Sequence, residues 1–292
     1  MAISVCCSEA SQEKSTRTAK PDSKLFLIFI FFPRINIIKK QHSDSFKDQI
    51  NIYYSFKTRK GKISMEAQVD WNWVQKELLE KGFVKLEKLL VPNTCNTLMT
   101  AYEDDVYRST INMARYNFGR GEYKYFSYPL PHKVKALRNF FYSHLRPVAV
   151  EWSTRLRLNE SYPMDYINYL KICHDHDQLR PTPLILKYGK DDYNALHQDL
   201  YGDIHFPYQA AIMLSDKKDY EGGEFTLIEQ RPRMQSIAHV ETLLQGDAII
   251  FAVNEFPKMG KRGYYRSKLR HGISKVRAGK RQTLGIIIHD AK

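Results

Sequence analysis

The spacing of apolar residues changes near residue 180. Upstream, Trp71, Val74, Leu78 and Leu79 recur at three- and four-residue steps, the period of one helix face, and Gly82 supplies a stop. A short strand is expected at residues 83–86. A second helix is expected after residues 89–93, with Asn93 or Thr94 as its cap and Cys95, Leu98, Met99 and Tyr102 inside it. Residues 117–131, rich in Gly, Tyr and Pro, read as loop. Residues 132–157 read as a long helix, broken or kinked near Pro147. Residues 161–177 read as helical at first and then irregular.

Beyond residue 180 the apolar runs shorten. Strands are expected at residues 184–188, 209–214, 224–228, 248–253, 271–276 and 283–289. Turn-forming residues separate them at 215–223, 230–233, 245–247 and 278–280. Many short strands with regular turns indicate a sandwich or barrel. The expected fold is α+β, with N-terminal helices packed on a jelly-roll core. Residues 65–180 form a mainly helical support and residues 181–292 the core. No internal repeat is visible.

Residues 1–64 have a different character. A polar, charged stretch precedes an eight-residue apolar run at 25–32, closed by Pro33 and Arg34. A bilayer span needs about 20 apolar residues, and no small-residue cleavage site follows the run. No stable membrane association is expected, a targeting role being the minority reading. Met65 is read as a natural start, which makes 1–64 a dispensable extension, disordered or non-native.

Composition adds two bounds. Of the 292 residues, 43% are hydrophobic and 13% aromatic, enough for a substantial core. The formal charge is +13; residues 1–64 hold twelve basic and five acidic residues, so +7 lies there and +6 on the remainder. A mildly basic body permits a nucleic acid or anionic substrate without requiring one. The four cysteines show neither a disulfide framework nor zinc-type spacing. A reducing compartment follows, with the cytoplasm expected and the nucleus as the alternative.

The chemistry concentrates at His197-Gln198-Asp199. On a strand, alternate side chains share one face, so this imidazole and carboxylate would project together about 7 Å apart at the backbone. His271 can supply a third ligand, because sequence-distant strands of a jelly roll are neighbours. Two histidines and one carboxylate leave open positions on a metal and suit non-haem iron(II). A tight turn at 278–280 is expected to make the His271 and Arg281 strands antiparallel neighbours. Arg281 and Thr283 would then share a face, and Arg281 could bind a carboxylate in bidentate fashion. The cluster Cys173-His174-Asp175-His176-Asp177 has ligand residue types, but adjacent residues cannot all face one cation, and a polar loop is the favoured reading. His205, His239 and His289 are read as structural or exposed.

Residues 184–290 resemble the 2-oxoglutarate/iron(II)-dependent dioxygenases, in particular their prolyl-hydroxylase-like branch. The matching pieces are Tyr188-Gly189, His197-x-Asp199, Glu221-Gly222-Gly223-Glu224-Phe225, residues 245–251, Arg270-His271-Gly272-Ile273 and Gly279-x-Arg281-x-Thr283. Residues 180–183, 192–202 and 229–236 are similar to a subfamily labelled as oxygenases acting on alkylated DNA. The likeness runs from about Met65 to the C-terminus.

The resemblance implies a double-stranded β-helix with iron held by His197, Asp199 and His271. It implies 2-oxoglutarate bound through Arg281, with Tyr188 and Thr283 on the same carboxylate, and O2 as second cosubstrate. Asn194 either bonds the cosubstrate or stabilises a turn. Substrate hydroxylation would accompany conversion of 2-oxoglutarate to succinate and CO2, and an N-methyl group so oxidised would be lost as formaldehyde. Prolyl hydroxylases commonly carry Lys where Arg281 stands, so their substrate does not carry over. Alkylated DNA, a protein side chain of the prolyl type and a small molecule remain alternatives, as does a catalytically silent jelly-roll binding module. For a nucleic-acid substrate, the basic segment 258–270 offers Arg262, Tyr264, Tyr265 and Arg266 as a loop at the barrel mouth, combining phosphate contacts with stacking. A solvated basic loop is the bland reading of the same residues.

Overall fold

Two short strands, β1 (Phe56–Thr58) and β2 (Gly61–Ile63), pair antiparallel ahead of the first helix, α1 (Trp71–Lys81). The computed structural model describes these two strands and residues 69–292; the apolar run at 25–32 lies outside the described residues. Asp70 starts α1 by accepting the Asn72 and Trp73 backbone N–H groups at 3.0 and 3.1 Å, and Gly82 caps its end by donating to the Leu78 carbonyl. Val74, Leu78 and Leu79 are buried, as their spacing predicts.

The next segment departs from expectation in several places. After β3 (Phe83–Leu86), α2 (Pro92–Thr100) begins with Val91 as its cap and Pro92 in its first turn, rather than at Asn93 or Thr94. Proline lacks the N–H that a first turn leaves unpaired anyway. One strand precedes the segment read as loop, and two more lie within it. β4 (Tyr107–Asn112), β5 (Gly119–Arg120) and β6 (Glu122–Phe126) extend the sheets of the C-terminal half. α3 (His132–Leu156) continues through Pro147, with Leu145, Val148 and Ala149 buried on either side. That packing offsets the lost helix bond, which costs about 3 kcal/mol. Residues 158–165 are irregular and α4 (Tyr166–Asp175) follows, the reverse of the expected order.

The later strands are β7 (Leu184–Tyr188), β8 (Tyr193–His197), β9 (Tyr208–Met213), β10 (Tyr220–Gly222), β11 (Phe225–Gln230) and β12 (Ile237–Glu241). They continue with β13 (Ala248–Ala252), β14 (Glu255–Gly260), β15 (Gly263–Ile273), β16 (Val276–Gly279) and β17 (Arg281–Ile286). One sheet runs β3-β13-β9-β17-β7-β6-β4. The other runs β12-β11-β15-β8-β5, with β14 alongside β15. All named pairings are antiparallel, and residues of both sheets line one cavity between them. This is the double-stranded β-helix of an α+β fold.

Two expectations about the C-terminal strands fail. β15 and β17 are not neighbours: β16 turns away to pair with β10, and β17 enters the opposite sheet between β7 and β9. His271 therefore sits near the end of a long strand, across the cavity from Arg281, instead of beside it. The segment 255–266 is a hairpin of β14 and β15 rather than a loop.

A buried polar network ties the last residues to the helices. Arg138 of α3 bonds Asp290 at 2.7 Å and the Ile287 carbonyl at 2.9 Å, both charged groups being fully buried. Among the described residues, no helix is long and apolar enough to cross a membrane.

Candidate metal centre

β8 and β15 pair with His197 directly opposite His271. Their rings lie 4.2 Å apart between centroids. β8 ends at His197, and two residues on the chain brings Asp199 back to the same spot. His197 Nε2 lies 3.5 Å from Asp199 Oδ1, and His271 Nε2 lies 3.3 Å from Asp199 Oδ2. One potential ligand atom from each residue falls within 4.8 Å of the others, the one such group among the described residues.

The protonation states favour cation binding. His197 Nδ1 sits 2.7 Å from the Ala195 carbonyl, which can only accept, so Nδ1 is the donor there and Nε2 is the nitrogen turned toward Asp199. Burial raises the Asp199 carboxyl, but the His271 hydrogen bond and charge, His197 and the Tyr201 hydroxyl outweigh it and hold the group well below the usual carboxylate range. Burial, assisted by His197 and opposed by Asp199, lowers the His271 pKa. Each carboxylate oxygen also has a donor: Tyr201 Oη reaches Oδ1 at 2.6 Å and Gln209 Nε2 reaches Oδ2 at 2.7 Å. Phe225 lies parallel to the His271 ring at 6.1 Å and Phe251 approaches it at 4.6 Å, closing that side to water.

Across the cavity, Arg281 stands opposite Tyr188 in the β17–β7 register, with its guanidinium 5.5 Å from the Tyr188 ring centre. Arg281 is fully buried. Its Nη1 donates to Thr283 Oγ1 at 2.7 Å, while Nε and Nη2 have no hydrogen-bond partner. Tyr188 Oη is likewise buried without a partner. Burial lowers the Arg281 pKa, and Tyr188, Tyr220 and Glu224 resist this. The cavity between these groups measures about 390 Å³ and is walled by Tyr123, Tyr125, Leu184, Leu186 and Ile273. Asn194 also lines it, with a backbone paired to Gly119 and Ile273.

The structure thus brings together His197, Asp199, His271, Arg281, Tyr188, Thr283 and Asn194 around one cavity. It does not bring Arg262, Tyr264, Tyr265 or Arg266 there. A strand advances about 3.3 Å per residue, so the seven residues from His271 to Tyr264 lead more than 20 Å along β15. Three of the hairpin's side chains are also engaged within the fold. Arg266 bonds Glu255 at 3.2 Å, Lys258 bonds the buried Glu229 at 2.6 Å, and Arg155 covers the Tyr264 ring at 4.8 Å. Residues 173–175 form the last turn of α4 rather than a loop, and His174 contacts Asp290 at 2.9 Å.

Tyr201 and Gln209 escaped sequence reasoning. Tyr201 continues the alternate spacing of His197 and Asp199, a signal that was present. Gln209 is the polar member of an otherwise apolar run in β9, where every residue is buried.

Residues 121–291 match the family Oxygenase-NA, described as "Oxygenase, catalysing oxidative methylation of damaged DNA". Uncharacterized proteins from two strains of Mycobacterium tuberculosis are 44% identical over 167 residues, covering 57% of this chain and 72% of theirs. Among solved structures, a Pseudomonas putida prolyl-4-hydroxylase aligns at 11% identity and TM-score 0.45 over 74% of this chain and 96% of its own. A prolyl hydroxylase from Trichoplax adhaerens, in complex with a hypoxia inducible factor peptide fragment, aligns at 15% identity and TM-score 0.45 over 74% and 86%.

Proposed function

Since the chain belongs to the Oxygenase-NA family, we propose that it is an iron(II)- and 2-oxoglutarate-dependent dioxygenase that oxidises an alkyl group carried on nucleic acid. His197, Asp199 and His271 would hold the iron. Their donor set fits: two imidazole nitrogens and an ionised carboxylate on one side of a cavity, with room opposite.

The observation that carries the reading is Arg281. A fully buried guanidinium with two unpartnered nitrogens, and no carboxylate in salt-bridge range among the described residues, is costly unless an anion joins it. An elongated dicarboxylate resolves that cost, one end on Arg281 and Thr283 and the other toward the histidines. Tyr188 Oη supplies a further donor to the same end. When bound, iron(II) with 2-oxoglutarate and O2 would supply the oxidant for C–H hydroxylation, with succinate and CO2 as co-products. The chain's part is placement. Tyr201 and Gln209 fix the Asp199 carboxylate, Arg281 fixes the cosubstrate, and Phe225 and Phe251 exclude water. Oxidation of an N-methyl group at such a site removes it as formaldehyde, so repair of methylated bases is the chemistry this machinery suits.

The test is succinate formation from 2-oxoglutarate with iron(II) and O2, together with formaldehyde release from methylated single-stranded DNA. Wild type should form succinate, while Asp199→Ala and Arg281→Met should not. Equal succinate formation in all three would remove iron chemistry from this site. Succinate without formaldehyde would move the substrate to a protein or small molecule.

A further inference from the structure

Beside the cavity stands Arg115-Tyr116-Asn117-Phe118-Gly119-Arg120, in which two arginines bracket two aromatic residues. The Tyr116 and Phe118 rings lie stacked, with centroids 5.6 Å apart and planes 20° apart. They remain 56% and 48% exposed, which is unusual for a pair of large rings. Asn117 and Phe118 form part of the cavity wall, as does the half-exposed Leu196. Arg115 and Arg120 are exposed and make no ion pair or side-chain hydrogen bond among the described residues.

The segment is built to hold its shape. Asn112 accepts the Ala114 N–H at 3.1 Å, Met113 N–H bonds the Gly121 carbonyl at 3.0 Å, and Phe118 N–H bonds the Met113 carbonyl at 3.1 Å. The Phe118 carbonyl accepts from Ala195 N–H at 2.9 Å, and Gly119 pairs with Asn194 on β8, the strand that ends in His197. Gly119 has φ +132°, and a Cβ there would stand 2.3 Å from the Tyr193 carbonyl oxygen, so only glycine allows this close pairing. The backbone that carries the rings is therefore fixed relative to the proposed metal ligands.

We propose that this segment is the substrate-reading element and that it holds single-stranded nucleic acid. Tyr116 and Phe118 stack against a base next to the one entering the cavity, and Arg115 and Arg120 take flanking phosphates. Rigid aromatic faces with unpaired cations on both sides match a strand of flat bases on a charged backbone, and stacking of this kind tolerates any base. In the hairpin 255–266, Lys258 and Arg266 are paired within the fold, and Lys261 and Arg262, free among the described residues, sit at its turn, which does not line the cavity. The inference rests on the oxygenase reading only in taking the cavity as the reaction chamber.

The experiment is fluorescence anisotropy with a labelled oligothymidylate of about 12 nucleotides, the length scale of one single-strand site. It compares wild type with Tyr116→Ala/Phe118→Ala, Arg115→Gln/Arg120→Gln and Arg262→Gln/Arg266→Gln. Unfolding midpoints and iron(II) affinities report whether each variant folds. The aromatic pair should bind about tenfold more weakly. The Arg115/Arg120 pair should bind more weakly and with a shallower salt dependence, the log–log slope falling by about 1.4 for two lost phosphate contacts on a single strand. The hairpin pair should bind like wild type. Equal affinity in wild type and both segment variants overturns the proposal, as does a wild type that ignores the oligonucleotide yet binds a proline-rich peptide. Binding is read without turnover. A protein that holds the strand through this segment but forms no succinate would refute the oxygenase reading and leave this one standing.

Discussion

Replacing Tyr201 by Phe removes one hydroxyl from the outer wall of the proposed metal centre. That hydroxyl donates to Asp199 Oδ1 at 2.6 Å and accepts from Tyr125 Oη at 3.2 Å. The ring itself stays useful, since it packs edge-on to Tyr125 at 6.4 Å and near His289 at 6.2 Å. The other carboxylate oxygen keeps its Gln209 donor at 2.7 Å. A hydrogen bond to a charged acceptor contributes about 1.5–3 kcal/mol. Losing it frees Asp199 to rotate away from the histidines, so metal affinity should fall about 10- to 100-fold, the range for outer partners of metal ligands. Tyr125→Phe is the control. It removes the next hydroxyl outward but leaves the Tyr201 donor intact, and should change affinity by no more than about threefold, roughly 0.6 kcal/mol. The assay is anaerobic titration with cobalt(II), followed by its ligand-field absorbance. If Tyr201→Phe binds cobalt as tightly as wild type, or if both variants lose affinity equally, Tyr201 does not hold Asp199 for the metal.

Asp290→Ala strands the fully buried Arg138 without its 2.7 Å partner and should cost about 3–5 kcal/mol in urea unfolding; a loss below about 1 kcal/mol would refute the structural weight given to this pair. His289 is fully buried and accepts the Phe206 N–H at 3.2 Å; burial first, then His205 and Arg138, pull its pKa down to about 3 from 6.5. The unfolded chain therefore takes up a proton that the folded one refuses, so stability present above pH 6.5 is lost as pH falls toward 3, by up to about 5 kcal/mol. In His289→Gln the unfolding free energy should depend less steeply on pH across that window, and an unchanged slope would rule this out. Gly223→Ala, at φ +64°, would put a Cβ 2.7 Å from Arg281 Cδ. It should weaken 2-oxoglutarate binding by at least about tenfold while sparing cobalt affinity, and calorimetry would show otherwise if Arg281 were not the anchor.

How much of this was legible depended on what each residue's neighbours do. The face of α1 could be read because Val74, Leu78 and Leu79 bury against the core whatever lies beyond them. β4 and β6 could not, since Tyr107–Asn112 is mostly half-exposed at a sheet edge and its Arg, Ser and Asn resemble loop composition. β15 carried a readable signal that its charges hid. Ser267, Leu269 and His271 alternate as buried residues, while Lys268 and Arg270 between them made the segment look like a basic loop. The histidines and Asp199 were found through their spacing and the resemblance together. Arg281 was found too, but its place opposite His271 rather than beside it depends on β16 turning out to β10, a long-range pairing that local sequence does not encode. The Arg115–Arg120 segment has the same interleaved basic and aromatic pattern as residues 262–266, and only its attachment to β8 brings it to the cavity.

The most direct measurement of the central claim is anaerobic calorimetry, with iron(II) and then 2-oxoglutarate titrated into wild type, Asp199→Ala and Arg281→Met. Wild type should bind a single iron(II) ion and then 2-oxoglutarate. Asp199→Ala should lose the metal. Arg281→Met should keep the metal and lose 2-oxoglutarate affinity by at least about thirtyfold, the lower range for removing one partner of a buried charge pair. Iron(II) binding unchanged in Asp199→Ala, or 2-oxoglutarate binding unchanged in Arg281→Met, would contradict the assignment of this cavity.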